Sequence, residues 1–446
     1  MSAYVIDSEL FRDQFSTVEM RDIFSDRRTV QAWLDVEVAL AEAEAELGII
    51  PTKAAEAIKD VGDAALYDLA DMKREMDRTS HPIVPLVRAI GAKCEGDYGE
   101  YVHWGATTQD ITDTGTMLQI RDAEAVITLR LEALSDALLD HVVTHAATAM
   151  PGRTHGQHAQ PVTFGYKAAI WLDEVRRHQT RMDEMRPRLL VGQFGGAVGT
   201  LAALGDQGLA VRERLMEKLE LGEPLITWHT ARDRLTELIS NLAMIAGTCG
   251  KIAHEIYVLQ KTEVQEVEEP FPDGKVGSST MPHKRNPAIC EGIMALSRTV
   301  RSSLPLAFET LIAEHERDKV GLQTEREFIS RTIAQTDAAL AKTVMVTEGL
   351  DVRAENMREN LDITKGLTLS EAVMMALGDK LGRQQAHEIL YRSCMLAFKE
   401  DTTMRDALMH SMEVREILSE DEIDALLDPE AYTGLAARMA RQVADE

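Results

Sequence analysis

The placement of proline constrains this chain more than any other feature. None occurs between Pro85 and Pro151, between Pro224 and Pro270, or between Pro305 and Pro429. An internal proline costs a helix about 3 kcal/mol, because it removes an amide donor and clashes with the preceding turn. Gaps of this length leave room for very long helices. Within the first, Leu118, Val126, Leu129, Leu134, Leu138 and Val142 recur at helical spacings and predict one apolar face. The stretches Arg232–Glu263 and Ser302–Leu350 read the same way. Aromatic residues make up only 5% of the chain, while Ala, Leu, Glu and Met abound and alternating strand patterns are scarce. The reading is all-α.

A chain of 446 residues exceeds one ordinary core. We expect an N-terminal helical domain over 1–105, a central long-helix bundle over 106–345 and a helical C-terminal domain over 346–446. Met117, Ile120, Ile127 and Leu131 flank the stripe in the first gap. A helix apolar on most sides needs partners on most sides, which predicts homo-oligomerisation.

The formal net charge of −26 excludes nucleic acid as the main partner, because phosphates demand a cationic footprint. It does not exclude a small anion held in a local basic pocket. Cys94, Cys249, Cys290 and Cys394 are widely spaced and read as reduced thiols. The acidic N-terminus has no apolar stretch, and the longest uncharged run, Leu189–Gly205, is glycine-rich and reads as buried packing, not as a membrane span. A cytoplasmic protein without a membrane partner is expected.

Three polar breaks interrupt the helical pattern. In the first, HWGATTQDITDT (His103–Thr114), Thr107 and Thr108 stand just before a helix whose first turn holds Asp110 and Asp113. They can cap that helix, or bind a carboxylate together with its free amides. In the second, GRTHGQHAQP (Gly152–Pro161), His155 and His158 lack a third ligand at zinc spacing, so no metal is expected. An imidazole in a polar loop suits proton transfer. In the third, GSSTMPHKRNP (Gly277–Pro287), Lys284 and Arg285 can hold a carboxylate and Asn286 can donate to it, while nearby cations favour ionisation of Ser278. Two further segments carry His81 just before two stiffening prolines, Pro82 and Pro85, and Arg317 with Arg326 in a charged stretch. His141 and His145 read as helix-surface residues.

Together these residues resemble a known family. GSSTMPHKRNP resembles the G-S-S-x-M-P-x-K-x-N signature of the fumarase/aspartase superfamily. GATTQDITDT and THGQHAQP resemble its first two shared blocks, in the family's order. The likeness runs from EMRDIFSDRRTVQAWLDVEVALAEAEAELG to GLTLSEAVMMALGDKLGR, and is nearest to bacterial 3-carboxy-cis,cis-muconate cycloisomerases, with adenylosuccinate lyases next. The resemblance implies three mainly α-helical domains and a homotetramer with a twenty-helix core. It also implies active sites assembled from three subunits, no cofactor, and a small dicarboxylate substrate. It places Ser278 as general base, with His155 and His81 as the histidines that serve proton transfer. Thr107, Thr108, Gln157, His158, Lys284, Asn286, Arg317 and Arg326 fall at substrate-binding positions.

Departures narrow the choice. Cycloisomerases of the bacterial type show tryptophan and leucine where this chain has His155 and Gly156, and lack the counterpart of His81. Gln14 and Leu322 stand where adenylosuccinate lyases hold a phosphate. The expectation is therefore a lyase that cleaves a C–N or C–O bond β to a carboxylate and releases fumarate. Lactonising cycloisomerase comes second, adenylosuccinate lyase third, and a non-catalytic descendant last.

Overall fold

The computed structural model describes residues 3–446. The helices of eight or more residues are α1 (Asp26–Glu46), α2 (Thr52–Asp60), α3 (Leu69–Thr79), α4 (Val84–Lys93) and α5 (Thr108–Thr144). Next come strands β1 (Ala149–Thr154) and β2 (Gln157–Thr163), then α6 (Phe164–Leu189), α7 (Gly208–Leu219) and α8 (Asp233–Leu259). Strand β3 (Val267–Glu268) precedes α9 (Ala288–Ser302) and α10 (Lys319–Glu348). The chain ends with β4 (Asp351–Val352), α11 (Ala354–Asp362), α12 (Ser370–Leu381), α13 (Arg383–Glu400) and α14 (Ala436–Ala444). The all-α reading holds. Among the described residues the strands form only two antiparallel pairs, β1–β2 and β3–β4.

Two compact units emerge. The first runs from the N-terminus through Leu131 and adds His178–Gly250 and Ala295–Ala341. The second comprises Glu132–Arg177, Lys251–Met294 and Lys342–Glu446. In the first, Val30, Leu34, Ile58, Leu86 and Ile90 form a core around α1, whose N-cap Ser25 accepts a hydrogen bond from Arg28 N. In the second, Val373, Leu377, Ile389, Leu408 and Ile423 form a core around α12 and α13.

The long helix α5 has 37 residues, so it extends about 55 Å. Its buried face is the one the apolar spacing suggested, but wider: Leu118, Leu134, Leu138 and Val142 are all buried. Leu129 is 64% exposed, while Met117, Ile120, Ile127 and Leu131 are at most 1% exposed. The buried face also takes in Glu124, a carboxylate that receives two donors from Arg186.

Four other expectations are corrected in whole or in part. Ser302–Leu350 is not one helix: α10 begins only at Lys319, after an exposed stretch in which His315 has φ +54°. The break around His155 is a β-hairpin and not a loop. His141 and His145 are half-buried, with their rings edge-on to Phe164, and His141 Nε2 bonds the Thr347 carbonyl at 2.7 Å. The run Leu189–Gly205 is buried as expected at Leu189, from Val191 to Gly196, and at Leu201 and Leu204, with exposed residues between.

Candidate active site

The candidate residues fall into two groups, one in each unit. In the first unit they converge on the start of α5. Asp110 stands in its first turn and receives the amides of Thr107, Gly195 and Gly196 together with His229 Nε2, all within 3.0 Å. Because Asp110 performs the capping, both threonine hydroxyls are released from it. The Thr107 hydroxyl accepts from Arg317 Nη1 at 2.9 Å, and Arg317 Nη2 donates to the carbonyls of Gly196 and Ala197. The Thr108 hydroxyl lies 3.1 Å from His81 Nε2. Arg326 is exposed, and its Nη1 donates to Gln323 Oε1 at 3.3 Å.

His81 Nδ1 accepts from the Val84 amide, so in the neutral ring Nε2 carries the proton and donates to Thr108. Burial lowers the His81 pKa, and nearby Lys319 and His103 lower it further. His103 behaves oppositely. Burial opposes its charge, but the Glu37 carboxylate, 2.6 Å from Nδ1, raises its pKa overall. The raised value means that the His103–Glu37 pairing stabilises the fold fully below pH about 6.5 and is lost as pH rises through the folded value. NMR titration is expected to place His81 below and His103 above the ordinary histidine value. Glu37→Gln is expected to bring His103 down, and His103 titrating low in the unaltered chain would contradict the pairing.

Below this corner lies a buried ion cluster. Arg232 Nη1 and Nη2 contact Asp113 at 2.8 and 3.0 Å, while Nε and Nη2 contact Glu325 at 2.7 and 2.5 Å. Although burial opposes its charge, Asp113 and Glu325 hold Arg232 firmly protonated. It therefore ties the helix that presents Thr108 to the one that presents Arg326. Sequence reading noted Asp110 and Asp113 but assigned them nothing. Their only signal was carboxylates three apart behind two threonines.

In the second unit, Gly277 and Asn286 form the neck of the signature loop. Asn286 Nδ2 donates to the Gly277 carbonyl at 2.7 Å. A Cβ on Gly277 would lie 2.1 Å from the Lys284 carbonyl oxygen, so only glycine permits the crossing. Ser278 follows the crossing, and its Oγ accepts from the amides of Thr280 and Met281 at 3.4 and 3.1 Å. The Lys284 side chain is exposed and, among the described residues, makes no ion pair. Arg285, expected beside it as a second free cation, is instead bound to Glu268 at 3.0 Å and stacked on Phe271. Asn286, in turn, closes the loop.

The β1–β2 hairpin reverses at His155 and Gly156, with φ of +53° and +77°. Positive φ at both turn positions is the geometry whose twist matches that of paired strands. His155 and Gln157 are thereby exposed at the tip. His158 pairs across the ladder with Arg153, which forms a bidentate bridge to the buried Glu266. Burial and then Arg153 lower the His158 pKa. Among the described residues, no three His, Cys, Asp or Glu side chains are grouped to hold a metal ion.

A long-helix all-α scaffold carrying the serine loop, the threonine corner and the histidine hairpin defines a lyase of the fumarase/aspartase superfamily. The chain belongs to that family: residues 13–302 match the lyase family model, and 366–443 match the adenylosuccinate lyase C-terminus. It is 41% identical to an N-acetyl-S-(2-succino)cysteine lyase of Enterococcus italicus over 99% of this chain and 97% of that one. It is 42% identical to a 3-carboxy-cis,cis-muconate cycloisomerase of Pseudomonas aeruginosa, covering 96% and 94%. The crystal structure of the 3-carboxy-cis,cis-muconate lactonizing enzyme from Pseudomonas putida superposes with a TM-score of 0.93 at 41% identity, covering 98% of each chain.

Proposed function

We propose that this enzyme reversibly eliminates a thiol from a 2-succino thioether, releasing fumarate, with N-acetyl-S-(2-succino)cysteine as the type of substrate. The observation that carries β-elimination is the signature loop, where Ser278 receives two amides and leaves the same neck as the unpaired Lys284. The leaving atom is assigned from the full-length likeness to the succinocysteine lyase. Sulfur thus replaces the nitrogen or oxygen expected earlier.

In this mechanism the Ser278 alkoxide removes a proton from the methylene carbon beside one carboxylate. The electron pair moves into that carboxylate, giving a dianion held by Lys284 of one copy and the Thr107–Thr108 hydroxyls of another in the proposed tetramer. The pair then returns to form the C=C bond as the C–S bond breaks, and sulfur leaves with the second electron pair. A proton from His155 or His81 neutralises the thiolate, leaving fumarate and a thiol. The reading includes a homotetramer in which the exposed His155–Gln157 tip serves a site on another copy.

A thiol ionises near pH 8.5, so its thiolate departs with little need of an acid. His155→Asn is accordingly expected to slow release of N-acetylcysteine only a few-fold, and release of an amine from an N-succino conjugate about 10²-fold or more. Equal slowing of both would contradict proton donation by His155. Absorbance in the fumarate band, with the thioether as substrate, tests the main reading. The similarity to cycloisomerases supports a second one, and lactone formed from 3-carboxy-cis,cis-muconate without fumarate from any thioether would establish it instead.

A further inference from the structure

Three carboxylates at β3, Glu266, Glu268 and Glu269, are buried, and each is held by cations from other segments of the second unit. Glu266 takes Arg153 of the hairpin. Glu269 accepts from Lys275 at 2.7 Å, where the chain departs toward the signature loop. It also accepts from the amides of Ile289 and Cys290 at 3.1 and 2.9 Å, where the chain enters α9. Glu268 binds the loop's returning limb through Arg285 and, with its other oxygen, Arg353 at the entrance of α11. Both roots of the loop are thus fastened to neighbouring carboxylates. Lys275 and Arg285 also lie on one Phe271 ring, at 5.2 and 4.8 Å.

The two partners of Glu268 depend on it unequally. Arg353 has a second carboxylate, Asp351, at 3.0 Å, which stands opposite Glu268 on the β3–β4 ladder. The Arg285 guanidinium has no second carboxylate among the described residues and would keep only the Phe271 face. Glu268 is 5% exposed, so its charge-assisted contact is little screened. Arg285 directly follows Lys284 and precedes Asn286, whose side chain closes the neck on Gly277. Fixing Arg285 therefore limits the positions open to Lys284 on one limb and to Ser278 on the other.

We infer that Glu268 is a positioning residue of this enzyme: acting through Arg285, it holds the returning limb of the signature loop so that Ser278 and Lys284 stay in register for proton removal. The inference rests on the elimination reading for what the loop does, and it gives Glu268 no contact with substrate. Glu268→Gln and Arg285→Gln are each expected to lower kcat/KM for N-acetyl-S-(2-succino)cysteine by about tenfold or more, and the double variant to be no slower than either. Arg353→Gln is expected to leave kcat/KM near that of the unaltered enzyme. Losses that multiply in the double variant, an unchanged rate in Glu268→Gln, or the same loss in Arg353→Gln would each overturn the inference. Trypsin cleavage after Lys284 supplies a readout without turnover. A loop freed from Glu268 opens more often, so Glu268→Gln and Arg285→Gln are each expected to speed that cleavage about tenfold, and Arg353→Gln to leave it slow. Equal cleavage of the unaltered and Glu268→Gln proteins would overturn the anchoring. Should the unaltered enzyme release no fumarate from the thioether, the thioether reading fails, and the trypsin rates alone decide for or against Glu268.

Discussion

Ser278→Ala is expected to lower kcat for fumarate release by about 10³-fold, within the range for loss of a positioned proton acceptor. The fold should be untouched. Ser278 lies on a partly exposed loop, and its Oγ makes only the two turn contacts with the Thr280 and Met281 amides. Those amides point at the oxygen that must carry charge, so they favour the alkoxide over the hydroxyl. Alanine removes the acceptor but leaves the Asn286–Gly277 clasp in place. Rates from the fumarate band, with circular dichroism to confirm folding, would check this. A kcat within tenfold of the unaltered enzyme would remove Ser278 from the mechanism.

The second large effect concerns stability. Arg232→Met leaves Asp113 and Glu325, each with a side chain 6% exposed, buried beside one another without a cation. Breaking such a cluster on one side costs about 3–5 kcal/mol, because an uncompensated buried charge remains. Loss of the guanidinium also removes its stacking on Trp228 at 5.0 Å. The urea midpoint is expected to fall accordingly. Replacing all three members with apolar residues of similar volume should recover most of the loss. A triple variant as unstable as Arg232→Met would mean that packing of the arginine, not its charge, is what matters.

The two kinds of information in the sequence differed in reach. Long helices were legible from proline gaps, because one proline suffices to break a helix and its absence over many residues is informative. The signature loop was legible because its composition suits neither core nor ordinary surface. On α5 the apolar count placed Leu129 inside and left out Glu124, which Arg186 holds at a core position that no apolar pattern records. The hairpin was missed because Pro151 and Pro161 interrupt its strands and His-Gly is an uncommon reversal. Arg285 looked available until the fold brought Glu268 to it. Partners distant in sequence decide which charges remain free, and local pattern cannot show them.

The backbone at position 155 limits what evolution can put there. With φ at +53°, a β-branched or bulky side chain would be strained, whereas glycine and a few short polar residues are tolerated. Histidine is among the few ionisable residues that such a reversal accepts readily. Adding one residue to the tip would rotate every side chain beyond it to the opposite face. The tryptophan and leucine that bacterial cycloisomerases carry here must therefore accept strain or a different reversal, so residue type and tip shape change together.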